Sequence, residues 1–169
     1  MTDEGGNQPT ATYYSTKTYG HDRGFSCAFR QWRAHDSHCR LVHGYSLGFK
    51  FVFSAELLDE RNWVVDFGGL KGLKQILEDN FDHTTLVASD DPEIEWFRKA
   101  HDKGILRMVE VPYSGCERFA EMVFDIAETW LRDAGFSPRC RLVSVEVSEH
   151  GANSAIFTKV SSCHIPSST

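Results

Sequence analysis

A chain of 169 residues, 41% hydrophobic and 25% charged, is long enough to bury a sizeable core in a single domain. Its formal net charge of −6 at pH 7 argues against sequence-independent nucleic-acid binding, which needs a basic surface. Five cysteines, an odd number with no Cys-x-x-Cys pair, argue against a disulfide framework, and no apolar run is long enough to span a bilayer. Met1 to Thr12 is polar and lacks the apolar centre of a signal peptide, so a cytoplasmic protein with no membrane partner is expected.

Residues 1–12, rich in Gly, Thr, Asn and Pro, read as a flexible tail, and 162–169 read as a second one; 13–161 form the single domain. Tyr13 to Phe29 is strand material broken near Gly20 and Gly24. Arg30 to Arg40 is a polar loop. Leu47 to Phe53 is a strand whose Phe49, Phe51 and Phe53 share one face, because strand side chains alternate. Asp66 is placed as a helix N-cap, and Phe67, Leu70, Leu73, Ile76 and Leu77 follow at helical spacing. Asn80-Phe81-Asp82-His83 comes just after that helix. Asp91-Pro92 opens a short helix reaching about His101, and Ile105 to Val111 is a short strand. Cys116 to Arg132 is the second major helix, with Phe119, Met122, Val123, Ile126, Trp130 and Leu131 as its core stripe and Gly135 as its stop. Arg141 to Val147 alternates as a half-buried strand, and Ser154 to Val160 pairs back on it through Gly151-Ala152-Asn153. Strand pairs that arrive as hairpins predict a mostly antiparallel sheet with the helices on one face, an α+β arrangement.

The chemistry concentrates at Cys39-Arg40-Leu41-Val42-His43-Gly44-Tyr45. A thiol needs a nearby base or cation to become a thiolate at neutral pH, and imidazole, here four residues further on, is the usual one. Arg23, Arg30, Arg33, Arg40 and Lys50 surround this stretch in sequence and form either a basic patch for an anionic substrate or an ordinary solvated face.

Five segments in order resemble the 6-pyruvoyltetrahydropterin synthase / 6-carboxytetrahydropterin synthase family. They are Phe25-Ser26-Cys27-Ala28-Phe29-Arg30, Cys39-x-x-x-His43-Gly44, Val65-Asp66-Phe67 followed by Leu70-Lys71, Leu77 to Leu86 with Asp82-His83 inside, and Val145-x-Val147-x-Glu149. The resemblance implies a tunnelling fold: an antiparallel four-stranded sheet with two helices on one face. Subunits would join into a barrel as a homo-oligomer, commonly a hexamer, with active sites between subunits. It implies a lyase acting on 7,8-dihydroneopterin triphosphate. The carboxy branch, which releases triphosphate and acetaldehyde on the route to queuosine and other 7-deazaguanines, is expected over the pyruvoyl branch. A non-catalytic pterin- or purine-binding member of the fold is the competing class, and a different lyase or epimerase on dihydroneopterin is a third.

Carried over by position, the resemblance makes Cys39 the proton-transfer thiol and Asp82-His83 its partner pair. Glu149 becomes the pterin anchor and Glu117 a second carboxylate on the pterin. The basic loop of Arg30, Arg33 and Arg40 would meet the triphosphate. The family's three zinc-binding histidines fall on Phe29, His43 and Tyr45, so His43 alone survives. One imidazole does not make a zinc site. A rebuilt site is expected, with His35, His38 and Cys27 as the replacement ligands and His21 and Cys163-His164 as weaker ones. Loss of the metal is the alternative.

Overall fold

The computed structural model describes residues 11–159. Most of both expected tails, Val160 at the end of the last expected strand, and Cys163-His164 lie outside the described residues. In chain order the strands and helices are β1 (Tyr13–Tyr19), β2 (Ser26–Phe29), β3 (His43–Ser46), β4 (Gly48–Ala55), α1 (Lys71–Phe81), β5 (Thr84–Ala88), α2 (Ile94–Asp102), β6 (Met108–Val111), α3 (Cys116–Asp133), β7 (Arg141–His150) and β8 (Asn153–Phe157).

The main sheet has the order β1-β4-β7-β8, with every neighbour antiparallel. Phe49, Phe51 and Phe53 of β4 are fully buried on one face, as their alternation requires, and Val145 and Val147 of β7 continue that face. Thr16, Thr18, Lys50, Ser144 and Glu146 lie on the opposite face, which is mostly polar. One side of the sheet can therefore bury apolar surface, and both long helices lie there. α3 packs on β7 and β8 through Phe119, Ala120, Val123, Phe124 and Ala127, all essentially inaccessible to water. α1 lies beside α3, and Phe81 at its end stacks between Phe49 and Phe119, with ring centroids 4.8 and 5.7 Å away.

The first major helix starts later than its apolar spacing predicts. Asp66 does cap, its Oδ1 accepting from the Gly68 N–H at 2.8 Å, but Phe67–Leu70 form a 3-10 turn before α1 begins. Gly68 and Gly69 are poor helix formers, and Phe67 is left exposed. In the first turn of α1, Gly72 meets the Trp130 indole of α3. A Cβ at position 72 would lie 2.6 Å from Trp130 Nε1. Gly72→Ala is expected to lower stability by about 1–3 kcal/mol, the usual cost of overpacking, despite alanine's better helix propensity. Thermal or denaturant unfolding checks this; an unchanged or raised midpoint contradicts it.

A second sheet, of order β3-β2-β5-β6, was not expected. β2 pairs antiparallel with β3, but β5 runs parallel to both β2 and β6. α2 makes the crossover between β5 and β6, which parallel neighbours require. Thr84–Ala88 escapes sequence reading because it is a buried run without alternation. This sheet carries Phe29 and His43 to the end of the main sheet where β7 and α3 meet.

Candidate active site

Several of the expected residues converge on one cavity of about 340 Å³, bounded by Cys39 and His43, by Cys116 and Glu117, and by Glu149. That volume lies at the small end of the range for small-molecule sites. Phe29, Gln31, Ala34 and Ser37 complete one wall, and Asn153, Ser154 and Ala155 of β8 another.

Each group reaches the cavity for a local reason. Cys39 sits in a 3-10 turn, His38–Arg40, whose cap Ser37 accepts from the Cys39 N–H at 3.2 Å. The turn is tied back to β2 by the Gln31 N–H, which donates to the Cys39 carbonyl at 2.8 Å. The His43 Nδ1 lies 2.6 Å from the Leu41 carbonyl. A carbonyl only accepts, so Nδ1 carries the proton in this contact. Glu149 lies where the β7–β8 register shifts, between Ser148 and His150. Such a bulge re-aims a side chain. Glu149 is turned toward the start of α3, where the Cys116 thiol donates to its Oε1 at 3.7 Å. Burial, then the Glu149 carboxylate, push the Cys116 thiol well above its ordinary value, so it stays a neutral donor. The sequence marks Cys116 only as the start of the second major helix; its contact with Glu149 appears only in the fold. Glu117 lies in the first turn of α3, where the helix dipole favours a carboxylate.

Other expected residues lie elsewhere. Arg30 forms a two-pronged ion pair with Asp91, which is 1% exposed, its Nε donating to Oδ2 at 2.8 Å. Burial pushes the Asp91 carboxyl up, but the Arg30 guanidinium and the Glu93 N–H outweigh it and hold the group below the usual carboxylate range. Arg33 pairs with Asp90 at 2.6 Å, and the Trp32 indole N–H also donates to Asp90. The Arg30 and Arg33 charges are therefore spent on fastening the 30–40 loop to the end of β5, not offered to the cavity. Arg40, exposed beside Cys39, makes no ion pair among the described residues.

Asp82 and His83 do not line the cavity. They form a pair, His83 Nδ1 donating to Asp82 Oδ1 at 2.7 Å, and the His83 side chain is 84% exposed. His83 also has φ of 53°, in the left-handed region that non-glycine residues seldom adopt. That strain costs about 1–3 kcal/mol and is the kind retained at functional positions. His83→Gly is expected to leave the melting temperature no lower than that of the unaltered protein, and a large fall contradicts this.

The expected metal ligands are not gathered. Among the described residues no three His, Cys, Asp or Glu side chains are placed to hold one ion. His35 and His38 are exposed in the loop and do not line the cavity. Cys27 is 3% exposed, and burial pushes its thiol up to about 12. Phe29 cannot ligate. The Tyr45 phenol is pushed up by burial and then by the Glu149 carboxylate, and stays protonated. This donor set does not fit zinc, which takes three protein ligands and water when catalytic.

An antiparallel four-stranded sheet covered on one face by two helices, with a thiol and two carboxylates in a cavity at its end, defines a tunnelling-fold protein. The sequence profile of 6-pyruvoyl tetrahydropterin synthase matches residues 20–160. The chain belongs to that family. A probable 6-carboxy-5,6,7,8-tetrahydropterin synthase of Halobacterium salinarum is 31% identical over 150 residues, spanning 88% of this chain and 93% of the relative. A 6-carboxy-5,6,7,8-tetrahydropterin synthase of Aquifex aeolicus is 24% identical over 121 residues, 70% of this chain and 75% of the other. Among solved structures, an uncharacterised protein of Wolinella succinogenes superposes with a TM-score of 0.73 at 18% identity, covering 89% of this chain and 99% of the other. The 6-pyruvoyl tetrahydropterin synthase of Plasmodium falciparum gives 0.60 at 16% identity, covering 88% and 98%. No helix among the described residues is long and apolar enough to cross a membrane.

Proposed function

We propose that this chain is a 6-carboxytetrahydropterin synthase-like lyase acting on 7,8-dihydroneopterin triphosphate. The observation that carries this is the cavity itself, which puts the Cys39 thiol, the His43 imidazole and the Glu149 carboxylate around one ligand-sized space. Glu149 accepts two hydrogen bonds from the pterin 2-amino group and N3–H, held in direction by the Cys116 thiol. Glu117 adds a second carboxylate at the ring. Cys39 moves protons on the substrate side chain. Arg40 meets the triphosphate.

The chain acts as a homo-oligomer in which the Asp82-His83 pair of one subunit reaches the cavity of the next. Two observations support this: the pair is exposed and absent from its own cavity, and β1 and β8 are edge strands of the main sheet. With Nδ1 donating to Asp82, the His83 Nε2 is the ring nitrogen left for proton transfer.

Incubation of purified protein with 7,8-dihydroneopterin triphosphate, followed by triphosphate release, tests the proposal. Release is expected from the unaltered chain and not from Cys39→Ala. Tight pterin binding without release identifies a binding protein of the same fold and overturns the enzymatic reading.

A further inference from the structure

Aromatic rings meet at the three positions that the family resemblance gives to histidine. β2 and β3 pair so that Phe29 faces His43 and Cys27 faces Tyr45. The Phe29 ring centroid lies 5.7 Å from His43 and 5.6 Å from Tyr45, and His43 and Tyr45 are 5.1 Å apart. Phe119 of α3 closes the group, edge-on to Phe29 at 5.0 Å and 89°. These are the separations of packed aromatic rings, a contact that is itself stabilising. They leave an apolar contact where a coordination sphere would need converging lone pairs. The group contains a single imidazole, His43, whose Nδ1 donates to the Leu41 carbonyl, so it can offer an ion one ring nitrogen where three ligands are needed. Phe29 is buried, so its replacement of a ligand also replaces polar volume with core.

We propose that this chain works with no metal ion at that place. The rings of Phe29, Tyr45 and Phe119 occupy the ion's position, and His43 borders the cavity as an unligated imidazole. The inference uses the family positions of Phe29, His43 and Tyr45 but not the pterin chemistry, so each can fail alone. A metal-free protein that converts no pterin would sink the enzymatic reading and leave this one standing. A zinc protein that converts pterin would do the reverse.

Metal content tests it directly. Protein purified without chelator and equilibrated with zinc is expected to carry far less than one zinc per chain after desalting. Its melting temperature is expected not to move with chelator or added zinc. Phe29→His with Tyr45→His restores three imidazoles around His43. That double variant is expected to take up about one zinc per chain and to melt higher with zinc than without, because an ion bound only by the folded state stabilises it. Near-stoichiometric zinc in the unaltered chain, falling in His43→Ala, overturns the proposal. A folded double variant that stays zinc-free overturns the placement of the ion's seat. Should the double variant fail to fold by circular dichroism, the unaltered chain's metal content decides alone.

Discussion

Cys39→Ala is expected to lower turnover by about 10²- to 10⁴-fold, the range that a positioned proton-transfer group contributes. Ligand affinity is expected to stay within a few-fold, because the ring is held by carboxylates and not by the thiol. The separation is possible because Cys39 is exposed and lies in a turn fixed by other groups. Ser37 caps the turn through the Cys39 backbone N–H, and Gln31 bonds the Cys39 carbonyl. None of these contacts uses the thiol, so stability should change by less than about 0.5 kcal/mol, as for most exposed positions. Cys39→Ser should be nearly as inactive, since a hydroxyl does not ionise near neutral pH. Steady-state rates beside a pterin fluorescence titration check both halves. Retained turnover in either variant would remove Cys39 from the chemistry.

Glu149→Gln is expected to act on the other half, weakening pterin binding by about 10- to 150-fold. That factor corresponds to about 1.5–3 kcal/mol for hydrogen bonds to a charged group. The amide keeps the shape of the side chain but offers one carbonyl where the carboxylate offers two acceptors. Its NH₂ would also face the ring's own donors. The loss should appear in KM or in the dissociation constant more than in the rate at saturation, the reverse of the Cys39 pattern. Unchanged affinity in Glu149→Gln would mean that the ring is anchored elsewhere, with Glu117 the first place to look.

The long amphipathic elements were legible because each buries one face. β4 and β7 alternate, α3 repeats every three to four residues, and the structure places them within a few residues of expectation. In α3 the stripe was shifted: Ala120, Phe124 and Ala127 are more deeply buried than Met122, Ile126 and Trp130. β5 and the parallel half of the second sheet carry no period to read. Glu149 and Cys39 could be named from sequence, but the β7–β8 bulge and the Ser37 cap, though local, have no period to read, and the Cys116 contact with Glu149 spans 33 residues. The arginines show the limit most clearly. Arg30 and Arg33 looked available as phosphate ligands because their partners, Asp91 and Asp90, lie 61 and 57 residues further on. Only folding brings β5 beside β2 and neutralises them. Cys27 likewise looked like a metal ligand by strand face, and its burial keeps it a thiol.

The most direct measurement is the mass of what the protein makes from 7,8-dihydroneopterin triphosphate. The account predicts 6-carboxytetrahydropterin, with acetaldehyde and triphosphate released alongside it, and none of the three in Cys39→Ala. A product that retains the full side chain as 6-pyruvoyltetrahydropterin would move the chain to the other branch of the family. Recovery of unchanged substrate, bound or free, from the unaltered protein would contradict the account.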